Sequence, residues 1–335
     1  MSFNVIQKIK QALEPKAVVL MYHRVADVAV DPWQLAVQPD YFEAQLQVIT
    51  KNYHVLPVQE LITALQKKSL KHHTVCLTFD DGYTDNLIFA KPLLEKYRCP
   101  ATFFIPSAYI GKEQPFWWDE LEAILLGAPA LPPVFNISIN GKPFTFELGA
   151  DVELTPAHTA RHQTWAWPDA APDLRCALYL SLWEELKPLP FEEIQSALNE
   201  IRAWSGYTPQ LPAAGLPMSD TQLHEMVANP MFRIGLHTAT HPALAYHPED
   251  AQYSEMAENK KALQPYQPLN AVAFPYGNYN KSTISVLRRQ RIDAGFTTEE
   301  KKVTPHTNLL CVGRFQVKNW NGADFKNTLS KWFKA

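Results

Sequence analysis

What most constrains this chain is a repeating alternation of short apolar runs with stretches whose apolar positions recur every three to four residues. The runs are AVVLMY (17–22), TVCLTF (74–79), ATFFI (101–105), FRIGL (232–236), NAVAF (270–274), AGFT (294–297) and CVGRFQV (311–317). Helical periodicity lies between them, in DYFEAQLQVITKN, VQELITALQKK, NLIFAKPLLEKY, SDTQLHEMVAN, PEDAQYSEMAENKKALQ, STISVLRRQ and ADFKNTLSKWF. Such an alternation predicts βα units around a mainly parallel sheet, and about seven strands is a barrel-like number. Pro92 must sit in the first turn of its helix or kink it, and Ser219 with Gln222 forms a capping box.

Between Ile110 and Pro217 the rhythm changes: prolines are frequent, tryptophans cluster, and FNISINGKPFTFEL has an Asn140-Gly141 pair suited to a type I′ hairpin turn. The helical stretches DLRCALYLSLWEEL and FEEIQSALNEIRAW carry Leu178, Leu182, Leu186, Ile194, Leu198 and Ile201 near helical spacing, enough for a small core. The expected organisation is a barrel formed by 1–110 and 218–335, interrupted by an inserted helical and hairpin subdomain at 111–217. PFWWDEL, with Trp117, Trp118 and Asp119, opens the insert just after a strand, as a lid, a glycan-binding wall or a staple for the insert's own core.

Charge excludes one large class of function. The 31 Lys and Arg against 34 Asp and Glu leave a formal charge of −3, with no basic excess for nucleic acid or an anionic membrane surface. The start of the chain reads as an amphipathic helix and a six-residue strand, too short and polar for a signal segment or membrane span, so the expected location is cytoplasmic. Cys76, Cys99, Cys176 and Cys311 are scattered without CxxC spacing, as core thiols of a reducing compartment would be.

Polar groups at the carboxyl ends of strands in such folds converge on one mouth. Asp80 and Asp81 end one apolar run, and His237 and His241 follow another in IGLHTATHP. Two histidines and one carboxylate make a facial site for a divalent ion, which suits zinc and tolerates cobalt, nickel, manganese or iron. Paired carboxylates are then explained: one binds the cation, whose charge offsets their repulsion, and the other stands by as general base for the activated water. A lone DDG would more simply be a turn and helix cap, with Gly82 allowing the sharp bend.

Together, TFDDG, HTATH and AFPYG (273–277), each behind an apolar strand, resemble the first three motifs of the polysaccharide deacetylases, the NodB-homology or carbohydrate esterase 4 group. The resemblance covers Lys16 to about Val317 outside the insert. It implies a distorted (β/α)7 barrel of NodB type and metal-dependent hydrolysis of an N-acetyl group on an amino sugar. Asp80 matches the catalytic base, and Asp81, His237 and His241 match the metal ligands. The backbone N–H at the Tyr276 position matches an oxyanion donor, so Pro275 and Tyr276 are the expected oxyanion and substrate contacts.

The chain departs from the family pattern in three places. Ala273 stands where the family has an arginine that orients the catalytic aspartate; Arg24 and Arg314 are candidates to replace it. The fourth motif has no clear match, KNWNG (318–322) being at best a remnant. No histidine follows the last strand, but His23 ends the first, which resembles the permuted subgroup in which the strand carrying the leaving-group acid comes first. An imidazole there can hand a proton to the departing nitrogen. The implied partner is an N-acetylated sugar or a nucleotide- or lipid-linked glycan precursor; the alternatives are an amidase for a non-sugar N-acyl or cyclic imide substrate and a non-catalytic glycan-binding relative. Oligomeric state is not legible.

Overall fold

The computed structural model describes residues 14–334, so the expected N-terminal amphipathic helix lies outside the described residues. Seven parallel strands form the frame: β1 (Ala17–Tyr22), β2 (Thr74–Phe79), β3 (Ala101–Ile105), β4 (Phe232–Leu236), β5 (Ala271–Ala273), β6 (Ala294–Phe296) and β7 (Phe315–Gln316). They pair in the order β6-β5-β4-β3-β2-β1-β7. Val312, just before β7, bridges to Phe296 of β6 in parallel, its N–H donating to Gly295 at 2.8 Å, so the two ends of the sheet meet. First and last strands are neighbours, with Leu20 opposite Phe315 and Met21 opposite Gln316.

Strand alternation sorts the side chains into two layers. Val18, Leu20, Val75, Leu77, Phe103 and Ile234 pack outward under helices that contribute Phe42, Leu46, Leu94 and Leu329. Ala17, Val19, Cys76, Phe104, Ala273 and Phe296 fill the interior, where the helix Val58–Gln66 joins them through Val58, Leu61, Ile62 and Leu65. The inner residues are mostly small because a ring of this size has little room. Gly235 takes this to its limit, since a Cβ there would collide with the Phe104 ring. Burial of both faces explains why β1, β2 and β3 are mostly apolar and carry no charged residue.

Several expected elements are present with their expected causes. Ser219 and Gln222 form the reciprocal cap of the helix Asp220–Val227. Pro92 lies in the first turn of the helix Lys91–Tyr97, behind a π-helical turn at Asn86–Ala90. Asn140 and Gly141 take φ of 52° and 71° between strands Val134–Ile139 and Lys142–Glu147, as a type I′ turn demands. The run 311–317 differs: only Phe315–Gln316 is strand, preceded by a 3₁₀ turn at Leu309–Cys311. Pairing switches there from β6 at Val312 to β1 at Phe315, and the bend between them carries Arg314 into the barrel. Two short pairings were not legible in the sequence, Arg24–Val25 with Ala36–Val37 and His54–Val55 with the start of β2.

Helices Trp117–Gly127, Leu174–Leu186 and Phe191–Ser205 and the hairpin share a second apolar cluster containing Leu121, Ile124, Phe135, Leu178, Leu182, Leu186, Ile194, Leu198 and Ile201. Fully buried Arg175 ties it together, donating to the carbonyls of Leu125, Ala128, Asp151 and Val152. We propose that 111–217 is an insertion carried by the ring, supported by this separate cluster; Tyr83 and Tyr109 of the ring side complete it. No helix among the described residues is long and apolar enough to cross a membrane.

Candidate active site

The inward phase of each strand carries on past its end. On β2 the inner positions are Thr74, Cys76 and Thr78, so Asp80 is next; on β1 it is His23, and on β4 it is His237. Asp80 and His237 are buried and all three residues line one cleft of about 440 Å³. Asp81 would point away in a regular strand, but its φ of 71° and the 77° of Gly82 turn the chain so that it also faces the cleft. Left-handed backbone recurs at Thr238, His241 and Tyr276, with φ of 64°, 62° and 56°. Non-glycine residues held this way cost free energy and gather where function over-determines geometry. Replacing Gly82 by Ala is expected to destabilise the protein by about 1–3 kcal/mol in chemical denaturation, because a Cβ at positive φ would also collide with Ile105.

Asp81 Oδ1 lies 3.3 Å from Nε2 of both His237 and His241. All three side chains are buried, and that oxygen has no hydrogen-bond partner. An unpaired buried carboxylate oxygen is costly unless something else meets it. Donors each bonded to one ion at about 2.0–2.1 Å in a tetrahedral arrangement stand about 3.3–3.4 Å apart, so this donor set fits a divalent cation. His237 Nδ1 bonds the Ala273 carbonyl at 2.8 Å, which leaves Nε2 to carry the lone pair. Ala273, where the family has arginine, thus serves through its backbone. Burial drives His241 down to about 3, keeping the ring neutral and able to donate its electrons. Burial would raise Asp81, but its close contact with His237 prevails, holding it at about 2.

The histidine loop is itself braced. Asn259 accepts from the His237 N–H at 3.0 Å and donates to the Ile105 carbonyl at 2.9 Å. Glu255 accepts the N–H groups of Ala239 and Thr240 at 2.9 and 2.8 Å.

Arg314 answers the question left by Ala273. From inside the barrel its two terminal nitrogens donate to the two Asp80 oxygens at 2.7 and 2.6 Å, while Nε donates to the Thr297 carbonyl at 3.1 Å. A two-pronged pair of this kind fixes the carboxylate plane. Burial acts to raise the Asp80 pKa, and the charge of Arg314 outweighs it, so the group lies below the usual carboxylate range. Arg24, the other candidate, is committed to Asp85 at 2.9 Å.

Among the other expected residues, His23 lines the cleft with Nδ1 buried and unpaired. Tyr276 also lines it, its ring 4.5 Å from that of His241 and its hydroxyl accepting from Trp117 Nε1 at 3.2 Å. Pro275 is buried behind the wall, which at this point is made by Phe274 and Tyr276. Its fixed backbone leads into the Tyr276 turn, and it presents no surface to the cleft. KNWNG lies elsewhere: Lys318, Asn319 and Trp320 border a separate groove. Cys176 approaches His162 and Asp173, but Asp173 caps a helix there, accepting from the Cys176 N–H at 3.1 Å and contacting His162 Nε2 at 2.9 Å.

Trp118 turns out to be both staple and wall: it is buried in the insert's cluster, yet its ring is 4.6 Å from that of His241 in the cleft. Sequence reasoning did not single out Trp33, Trp167, Trp183, Glu184 and Lys187, which complete the wall. No motif marks them; their only signal is the density of tryptophan in and near the insert.

A family model described as polysaccharide deacetylase matches residues 67–127 and 155–295, more than half of the chain. YxkH of Bacillus subtilis (strain 168), named as a candidate polysaccharide deacetylase, is 36% identical over 105 residues, 31% of this chain. That match spans 36% of the relative's own length. Among solved structures, IcaB from Ammonifex degensii aligns with a TM-score of 0.58 at 19% identity, covering 96% of this chain and 98% of that one. The Streptococcus pyogenes deacetylase PplD, solved with acetate, aligns with a TM-score of 0.52 at 20% identity, covering 94% and 99%. Identities this low speak to the fold, which they share over 94% and 96% of this chain. With the family match running through the TFDDG, HTATH and AFPYG segments that build this cleft, the chain belongs to the polysaccharide deacetylase family.

Proposed function

We propose that this protein is a hydrolase that removes N-acetyl groups from an amino-sugar-containing glycan or glycan precursor. The observation that carries the proposal is an aspartate locked by a buried arginine directly beside a second aspartate whose unpaired oxygen faces two imidazoles at 3.3 Å. Asp81, His237 and His241 would hold the ion, zinc being the best match to the donor set. A divalent cation bound there lowers the pKa of water and polarises an acyl oxygen.

The chain's own groups do the rest. Asp80, aimed by Arg314, accepts a proton from the attacking water. The backbone N–H of Tyr276 donates to the oxygen that gains charge as the acetyl carbon becomes tetrahedral. His23 donates a proton to the sugar nitrogen as the C–N bond breaks, giving acetate and a free amine. Trp118 and Tyr276 wall the acetyl end of the cleft and keep out bulk water.

Acetate release from soluble N-acetylated sugars, measured alongside the metal content of the purified protein, tests this. Chelation is expected to abolish release and added zinc to restore it, and His241→Ala is expected to lose both metal and activity. Ring opening of cyclic imides without acetate release would move the substrate class, and bound metal with neither reaction would leave a glycan-binding protein.

A further inference from the structure

We propose that the cleft contains an anion subsite centred on Lys187, which selects a substrate whose N-acetylated sugar carries a phosphate or a carboxylate; this rests on the deacetylase reading above. Lys187 directly follows the helix Leu174–Leu186. A lysine there commonly serves only to offset the helix dipole, with its ammonium in solvent or near the last carbonyls. Here the side chain instead folds into the cleft, with Nζ 4.5 Å from the ring centre of Trp183 and 5.0 Å from that of Tyr276. It lines the same wall as His23, Asp80, Asp81 and His241.

The charges around it set it apart. Asp80 is held by Arg314, and Asp81 belongs to the candidate metal ligands. Glu184 borders the cleft but is exposed, and it acts on Lys187 through space without a hydrogen bond. Among the described residues, then, Lys187 forms no ion pair. Two aromatic faces hold an ammonium in place without neutralising it. Being half-buried, it would meet an incoming anion where water screens the attraction less than at an open surface. Beside it, Trp33 lies 4.4 Å from Trp183, and Trp167, 55% exposed, continues the wall outward, offering flat faces to a sugar ring. At about 440 Å³ the cleft has room for a sugar and a charged substituent together.

Calorimetric titration of the zinc-loaded protein with three probes tests the subsite: UDP-N-acetylglucosamine for phosphate, N-acetylmuramic acid for carboxylate, and neutral di-N-acetylchitobiose. At least one anionic sugar is expected to bind about tenfold or more tightly than the neutral one. Lys187→Met should erase that preference, Lys187→Arg should retain most of it, and added salt should weaken it in the wild type and in Lys187→Arg but not in Lys187→Met. Preference for the first probe identifies a sugar phosphate, and for the second an acidic sugar. Equal affinity for all three probes, or a preference that survives in Lys187→Met, overturns the subsite; Lys187→Gln provides the same comparison should the methionine variant fold poorly. Binding is read without turnover, so absence of acetate release from every probe would sink the deacetylase reading while leaving this measurement intact.

Discussion

Replacing Asp80 by asparagine is expected to lower kcat for acetate release by about 10²–10⁴-fold while leaving the content of divalent ion unchanged. Asparagine keeps the shape of the side chain and one oxygen for Arg314, so the buried contact is weakened rather than vacated. What it cannot do is accept a proton at neutral pH. Asp81, His237 and His241 are untouched by the change, and the contacts of Asp81 with the two imidazoles do not pass through Asp80. Inductively coupled plasma analysis and acetate assay on the same preparation separate the two readouts. Full turnover would remove Asp80 from the base role; loss of metal together with activity would make it a ligand.

The second large effect is expected at Arg314. Its side chain is fully buried and Asp80 is nearly so, and the pair spans the barrel from the bend before β7 to the end of β2. Removing one partner of such a pair leaves an uncompensated charge in the interior, which costs about 3–5 kcal/mol. Arg314→Met should therefore lower unfolding free energy by that amount in a denaturant titration, and activity should fall with it. Adding Asp80→Asn in the same chain removes the orphaned charge, so the double variant should be more stable than Arg314→Met alone. A single variant as stable as wild type, or a double variant less stable than Arg314→Met, would show that the pair does not act as described. Arg314→Lys distinguishes positioning from charge: it keeps the cation but cannot make the two-pronged contact, so kcat should fall with KM little changed.

Much of this was legible before any tertiary contact was known. The runs 17–22, 74–79, 101–105 and 232–236 are strands with the very limits their apolar residues suggest, because strands covered on both faces are built mostly from apolar residues and give way to polar ones at the rim. Asp80, Asp81, His23, His237 and His241 could be placed on one mouth because parallel strands bring all their carboxyl ends to the same side. Pro275 shows the limit of that logic. It belongs to the AFPYG segment, yet one turn of left-handed backbone at Tyr276 decides which of the two neighbours meets the cleft.

Arg314 marks the boundary between the two kinds of information. Its position in a strand-like run named it only as one of two candidates, and Arg24 had an equal claim until each guanidinium was seen with its carboxylate. Local pattern specifies which residues alternate, which are buried and where strands stop, since those properties depend on neighbours a few positions away. Pairing of Asp80 with a residue 234 positions later, and the meeting of Trp33, Trp183 and Lys187 over the same cleft, depend on how the ring closes and how the insert folds back over it. No periodicity records such contacts, because the residues that make them share no local environment until the chain has folded.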